Sequence, residues 1–218
     1  MCLALSSEDI IPDYYVASFS KAADDLTQWR AYGKDKGICV GFDLSLLDSH
    51  MHIYLPRKAI YTNRDKNRII IFYINLYFQE FIKDVHFYNG CVPDFLPGRY
   101  SESLARKLEF EFVRFKHPSF QSERELRVVI AGSESGSYKT LRHRVRGNVV
   151  VPYHRTSDRI LRNADGTEME VGRLPIASVT VGPMRYQKLC VRSLRDFLRF
   201  HAYDGNLVNA SEIPYQTL

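Results

Sequence analysis

The chain has 218 residues, enough for one large domain with a proper core or at most a domain and a small subdomain, and its 45% hydrophobic and 25% charged content is that of an ordinary soluble protein. Its net charge of +5 is a mild basic excess, too small to name a nucleic-acid partner by itself. Four scattered cysteines, Cys2, Cys39, Cys91 and Cys190, form no CxxC pair, which argues against a zinc site, and with no visible secretory leader the expected location is the cytoplasm.

In chain order, YYVASFS (Tyr14 to Ser20) is β-branched and aromatic and predicts a strand. DDLTQWRAYG predicts a short helix capped by Asp24 or Asp25 and ended by Gly33. KGICVGFD predicts a strand between Gly37 and Asp43, and RKAIYTN another, ending at Thr62-Asn63. From Arg68 to Tyr88 the chain is at its most apolar, but Asn75, Gln79, Glu80, Lys83 and Asp84 interrupt the run of roughly 20 residues that a membrane span needs. Phe78, Phe81, Ile82 and Val85, three and four apart, predict a buried amphipathic helix there, and no membrane partner is expected. CVPDFLPGRY reads as a loop, and SESLARKLEFEFVRF as a helix through Leu104, Leu108, Phe112 and Phe115 that stops before Pro118.

FKHPSFQSERELRVVI then predicts a strand with Glu123, Glu125 and Arg127 at alternate positions, hence in a row on one face. TLRHRV and VVVPY flank Gly147-Asn148 as a hairpin, NADGTE is a polar turn, ASVTVGP is a buried strand, a helix follows from about Gln187 to Phe200, and NLVNASEIPY closes as a strand. With no repeat and no linker, the expectation is a single α+β domain over residues 1–218, a mixed or antiparallel sheet core with several inserted helices.

The chain lacks the phosphate loop GxxxxGK[ST], and also GxGxxG, HExxH and GxSxG, so the usual evidence for ATPases, dinucleotide oxidoreductases, zincins and α/β-hydrolases is missing. His50 and His52 form a weak metal-type pair, and no metal is expected. Two stretches carry candidate chemistry. Trp29, Arg30 and Tyr32 within one helical turn suit stacking on a base and gripping a phosphate; the structural reading makes Trp29 a core anchor. Glu123 and Glu125 on one strand face repel unless cations are supplied, and Arg127, with Arg30 brought from elsewhere, would supply them; the pair then reads as an acid/base or cation-stabilising site, or as a salt ladder. A basic strip, RHRVR (Arg142 to Arg146) with Arg155, Arg159 and Arg162, has no aromatic interleaving and reads as a solvated face before a nucleic-acid site.

YVASFS, LTQWRAYG, GICVGFD, FKHPSFQSERELRVVI, GNVVVPY, LPIASVTVGP and EIPY stand in the order that resembles the bacterial domain-of-unknown-function family 2971 (DUF2971). Members usually begin with a further strand and helix before the first of these motifs, and Met1 lies only thirteen residues before YYVASFS, so the expectation is that this segment is shortened or missing. More distantly, the layout resembles ADP-ribosyltransferases, in which a middle-strand hydroxyl and a late-strand glutamate surround NAD. That resemblance implies Ser18 or Ser20 as the hydroxyl and Glu125, with Glu123, as the carboxylate, with NAD as substrate; the early His or Arg of that pattern has no counterpart here. The alternatives are a non-catalytic binding or regulatory module, in phage defence or a toxin system, and a nucleic-acid-binding protein working through Arg142, Arg144 and Arg146.

Overall fold

A computed structural model of the chain describes residues 14–33, 37–46, 56–132, 140–158, 161–162, 165–169 and 172–214. The fold is α+β. In chain order its main elements are β1 (Tyr14–Ser20), α1 (Leu26–Gln28) leading into a π-helical turn (Trp29–Gly33), β2 (Ile38–Phe42), β3 (Arg57–Lys58), α2 (Asn63–Phe87), α3 (Phe95–Phe112), a 3-10 turn (Pro118–Glu123), β4 (Glu125–Ala131), β5 (Arg142–Arg146), β6 (Val149–Tyr153), β7 (Leu161–Arg162), β8 (Glu168–Met169), β9 (Ile176–Val181), α4 (Gln187–Phe200) and β10 (Val208–Ala210). The chain divides into two compact units, residues 1–18 with 57–133 and residues 19–56 with 134–218. Because it passes between them three times, no linker-like composition marks the division.

In the first unit the sheet order is β1-β4-β3, and β3 runs antiparallel to β4 with Arg57 opposite Arg127 and Lys58 opposite Leu126. RKAIYTN is a strand for only two residues, because Ile60 leaves the ladder to bridge Phe115 and Thr62 caps α2. Thr62 Oγ1 accepts from the Asp65 N–H at 3.1 Å and donates to the Asp65 carboxylate at 2.6 Å, which satisfies one of the orphan donors of the first turn. The helix α2 packs on α3 through Phe81 against Tyr100 and a 2.8 Å hydrogen bond from the Tyr100 hydroxyl to Asp84. It is not the buried helix that its composition predicts. Phe81, Ile82 and Val85 are half-buried, whereas Ile71, Phe72, Ile74 and Phe78 are exposed, since the helix is apolar on more than the one stripe that α3 covers.

CVPDFLPGRY is likewise not wholly a loop: α3 starts at Phe95, and Pro97 falls in its first turn, where a missing N–H costs nothing. The core of this unit is Ala59, Ile60, Leu96, Leu126, Val128 and Val129.

In the second unit β9 lies between β10, parallel to it, and β2, antiparallel with an irregularity at Gly41/Phe42. Helix α4 covers this sheet, and Val179, Val181, Leu198 and Val208 form its core with Cys190, Val191 and Leu194 packed around. The closing strand is three residues, shorter than NLVNASEIPY predicts, because Gly205–Leu207 forms a 3-10 turn first. The hairpin of β5 and β6 turns at Gly147, whose φ of +60° a side chain would resist, and the polar turn between β7 and β8 carries Gly166 at φ +85°. His50, His52 and Arg159 lie outside the described residues.

Candidate functional site

The charged stretch that opens β4 does not form a single row. Glu125 and Arg127 are alternate residues of β4, as the spacing predicts, but Glu123 ends the preceding 3-10 turn. Arg124 between them adopts a left-handed conformation, φ 45° and ψ 48°, and turns the chain so that Glu123 and Glu125 meet the same cation, Lys116. Lys116 Nζ lies 2.8 Å from Glu125 Oε2 and in close contact with Glu123 Oε2, and it sits over the Phe120 ring. The residue spacing offers Arg30 as a cation for this pair; Arg30 lies in the second unit, and within the first unit it is Lys116 that bridges the two carboxylates. The signal available in sequence was FKHP itself, a lysine two residues before the proline that starts the 3-10 turn.

Glu125 is 6% exposed and engaged at both oxygens. Arg127 Nε donates to Oε1 at 2.9 Å and Arg127 Nη2 to Oε2 at 3.1 Å, while Arg127 Nη1 donates to the Val113 carbonyl. The Ser18 hydroxyl on the neighbouring strand β1 also hydrogen-bonds Glu125. On the backbone, the Glu125 N–H donates to the Tyr61 hydroxyl at 2.8 Å and its carbonyl accepts from Ala59 at 2.9 Å. Burial alone would raise the Glu125 carboxyl, but Arg127, Lys116 and Ser18 outweigh it and hold it down to about 2. Such a carboxylate is a permanent, fixed anion and a poor proton shuttle near neutrality.

A second buried carboxylate lies in the same unit, and no sequence motif marked it. Glu111 on α3 is 1% exposed and faces three cations: Arg57 Nη2 at 2.8 and 3.0 Å from its two oxygens, Arg114 Nη1 at 2.5 Å, and Lys107 Nζ at 3.5 Å. The Tyr73 hydroxyl adds a 3.2 Å hydrogen bond. Burial would raise Glu111, yet Arg57 and Arg114 bring it below its ordinary value; Arg114 in turn is lowered, first by its own burial and then by Arg57. The alternation LEFEFVRF placed Glu111 beside apolar residues of a helix, and it is buried there with cations around it: Lys107 four positions before, Arg114 three after, and Arg57 from β3.

Of the other predicted residues, Trp29, Arg30, Tyr32 and Ser20 lie in the second unit and Ser18 in the first. Trp29 is 9% exposed, packs against Gly33, Gly37 and Gly182, and donates its indole N–H to Asp24 at 2.6 Å. Asp24 also accepts from the Ser211 hydroxyl at 2.7 Å and from the Glu212 N–H at 3.1 Å. Trp29 therefore ties β1's exit to the end of β10, while Arg30 and Tyr32 on the same π-helical turn are exposed. Asp25, not Asp24, caps α1, accepting from the Gln28 N–H at 3.0 Å. Ser20 accepts from the Ala22 N–H at 3.0 Å and from the Gln28 side chain at 2.7 Å, so its hydroxyl serves the turn after β1.

Among the described residues no group of three or more His, Cys, Asp or Glu could hold a metal ion, and no helix is long and apolar enough to cross a membrane.

Residues 28–128 match the model of the family described as Protein of unknown function (DUF2971), which bears out the family resemblance of the motifs. The match spans Trp29, Glu111 and the Glu123–Arg127 stretch and excludes Ser18. No curated protein and no solved structure matches the chain.

Proposed function

We propose that the DUF2971 segment of this chain, together with β1, forms a binding module for a nucleotide-type ligand in its first unit, with NAD as the candidate. The observation that carries this reading is the buried ionic cluster at the start of β4, where Ser18, Glu125 and Arg127 converge. A buried ion network is an expensive way to hold a strand, and Leu126, Val128 and Val129 already anchor this one. Arg127 keeps one N–H on each terminal nitrogen beyond its bonds to Glu125 and Val113, a fork suited to an anionic oxygen. Glu125 is then a positioning residue: it holds Arg127 and orients the Ser18 hydroxyl.

A second reading makes the module an ADP-ribosyltransferase-like enzyme. Ser18 and Glu125, hydrogen-bonded from neighbouring strands β1 and β4, favour it, because cleavage of a nicotinamide–ribose bond builds positive charge on the sugar that a fixed carboxylate stabilises. Lys116 and Arg127 weigh against it, since they already neutralise the carboxylate. The test is calorimetric titration of the protein with NAD, run beside an assay for released nicotinamide. Binding without release, weakened in Arg127→Ala, supports the module; release that is lost in Glu125→Gln supports the enzyme; no heat and no release removes NAD as the ligand.

A further inference from the structure

Glu111 and its surroundings play no part in the reading of Glu125. Around this one buried carboxylate stand Arg57, Lys107 and Arg114, three cations against one buried anion among the described residues, with the Arg57 and Lys107 heads partly open to solvent. Arg114 is consumed: Nη1 is on Glu111 and Nε donates to the Lys58 carbonyl at 3.1 Å. Arg57 and Lys107 are not. Arg57 spends only Nη2 on Glu111, which leaves its Nε and Nη1 donors without an acceptor among the described residues, and its side chain is 37% exposed. Lys107, 34% exposed, stands off Glu111 at 3.5 Å, longer than a hydrogen bond, over the rings of Tyr73 and Phe110. Both cations approach the same oxygen, Oε1, and both lie 5.5 Å from the Phe110 ring centre, so the two heads are neighbours at one aromatic floor. Arg127 stands directly opposite Arg57 across the antiparallel pair, its own charge met by Glu125.

Like charges opposed in this way repel, and the solvent that reaches the Arg57 and Lys107 heads screens only part of that repulsion while giving an anion access to them. One carboxylate cannot balance three cations. We infer that Arg57 and Lys107 form a binding subsite for a phosphate-type dianion, with the Arg57 fork and the Lys107 ammonium donating to its oxygens and Phe110 and Tyr73 as its apolar wall. Arg57 supplies the planar two-donor geometry that phosphate oxygens take, and Lys107 the point charge. Glu111 holds both heads in place and at the same time sets the affinity, since it competes with the incoming anion for them. The subsite stands whether or not NAD binds at Glu125.

The probe is inorganic pyrophosphate, titrated at fixed ionic strength while thermal unfolding and binding heat are recorded. The wild type is expected to bind and to melt higher with pyrophosphate, and Lys107→Gln, a change on a partly exposed helix position, to weaken binding about tenfold. Arg57→Lys keeps the charge and loses the fork, and is expected to weaken it as well. Glu111→Gln should be less stable alone yet gain more from pyrophosphate than the wild type does, because the competing anion is gone; a purely structural ion cluster would not produce that reversal. A wild type whose melting is unmoved by pyrophosphate, or moved equally in Lys107→Gln and by sodium chloride at matched ionic strength, overturns the subsite. Pyrophosphate binding with no NAD binding would leave the subsite standing and remove the nucleotide reading, and NAD binding lost in Arg127→Ala, in a protein whose melting pyrophosphate does not move, would do the reverse.

Discussion

Arg57 and Arg127 stand opposite each other in the register of β3 and β4, and each turns to a different buried carboxylate, Arg57 to Glu111 and Arg127 to Glu125. Two guanidiniums in direct cross-strand register are tolerated only because an anion flanks each. The pairing links a helix carboxylate to a strand carboxylate through a two-residue strand, so the smallest strand of the sheet carries one of its largest electrostatic duties.

Removing the charge at Glu125 therefore unbalances both Lys116 and Arg127. Glu125→Gln is expected to destabilise the protein by about 3 kcal/mol, since it leaves two cations facing a neutral amide in a largely buried place. Urea unfolding of the variant and the wild type measures this. A difference well under about 1 kcal/mol would mean that the cluster behaves as an exposed salt ladder.

The same group gives a pH signature. Glu125 is held at about 2 in the folded chain against an ordinary 4.5, so its stabilising contribution is complete above 4.5 and is lost as pH falls through about 2. The gap in stability between wild type and Glu125→Gln is expected to be constant from neutrality down to about 4.5 and to close between there and about 2. A gap that already closes above 4.5 would contradict the depressed value.

Most elements were legible in the sequence, and the misses share a cause. β1, β2, the β5–β6 hairpin, β9 and α4 carry strong local patterns and sit where those patterns put them. Pro97-Gly98 reads as a loop because the dipeptide favours turns, but the first helical turn has no use for the lost N–H, and α3 begins before it. Glu123, Glu125 and Arg127 look like one strand face because alternation is blind to a single left-handed residue, Arg124. Lys116 and Glu111 are not marked as site residues by the sequence: Lys116 meets Glu123 7 positions on and Glu111 meets Arg57 54 positions back, contacts no periodicity encodes, although Lys107 and Arg114 stand at helical spacing from Glu111. Trp29 left two readings open, and its hydrogen bond to Asp24 is a tertiary fact of the same sort.

Arg124 offers a test of that left-handed turn. A residue with a β-carbon at φ 45° is strained by about 1 kcal/mol relative to glycine. Arg124→Gly is expected to be neutral or to stabilise by up to about 1 kcal/mol, and Arg124→Val to destabilise, because a β-branched residue resists this conformation most. Thermal melts of the two variants decide it; a destabilised Arg124→Gly variant would show that the arginine side chain matters more than its backbone.

The second unit has its own anchor, and a glycine reports on it. A β-carbon at Gly182 would lie 2.8 Å from Trp29 Cε3, closer than such atoms approach, and a tight 3.1 Å from the Gly37 carbonyl oxygen, and the buried indole cannot swing away without breaking its 2.6 Å bond to Asp24. Asp24 in turn holds Ser211 and the Glu212 N–H, so a displaced ring releases both ends of the tie between β1's exit and β10. Gly182→Ala is expected to cost about 1–3 kcal/mol, the range for forcing an extra methyl into a packed site. Asp24→Asn should cost about 1–2 kcal/mol, because the amide oxygen can keep only neutral bonds from Trp29 and Ser211 while the amide nitrogen cannot accept from the Glu212 N–H. The two changes act on one contact network, so the double variant should lose less than the sum of the singles. Trp29 fluorescence during urea unfolding follows the loss directly, and strictly additive costs would place Gly182 and Asp24 in separate parts of the unit's stability.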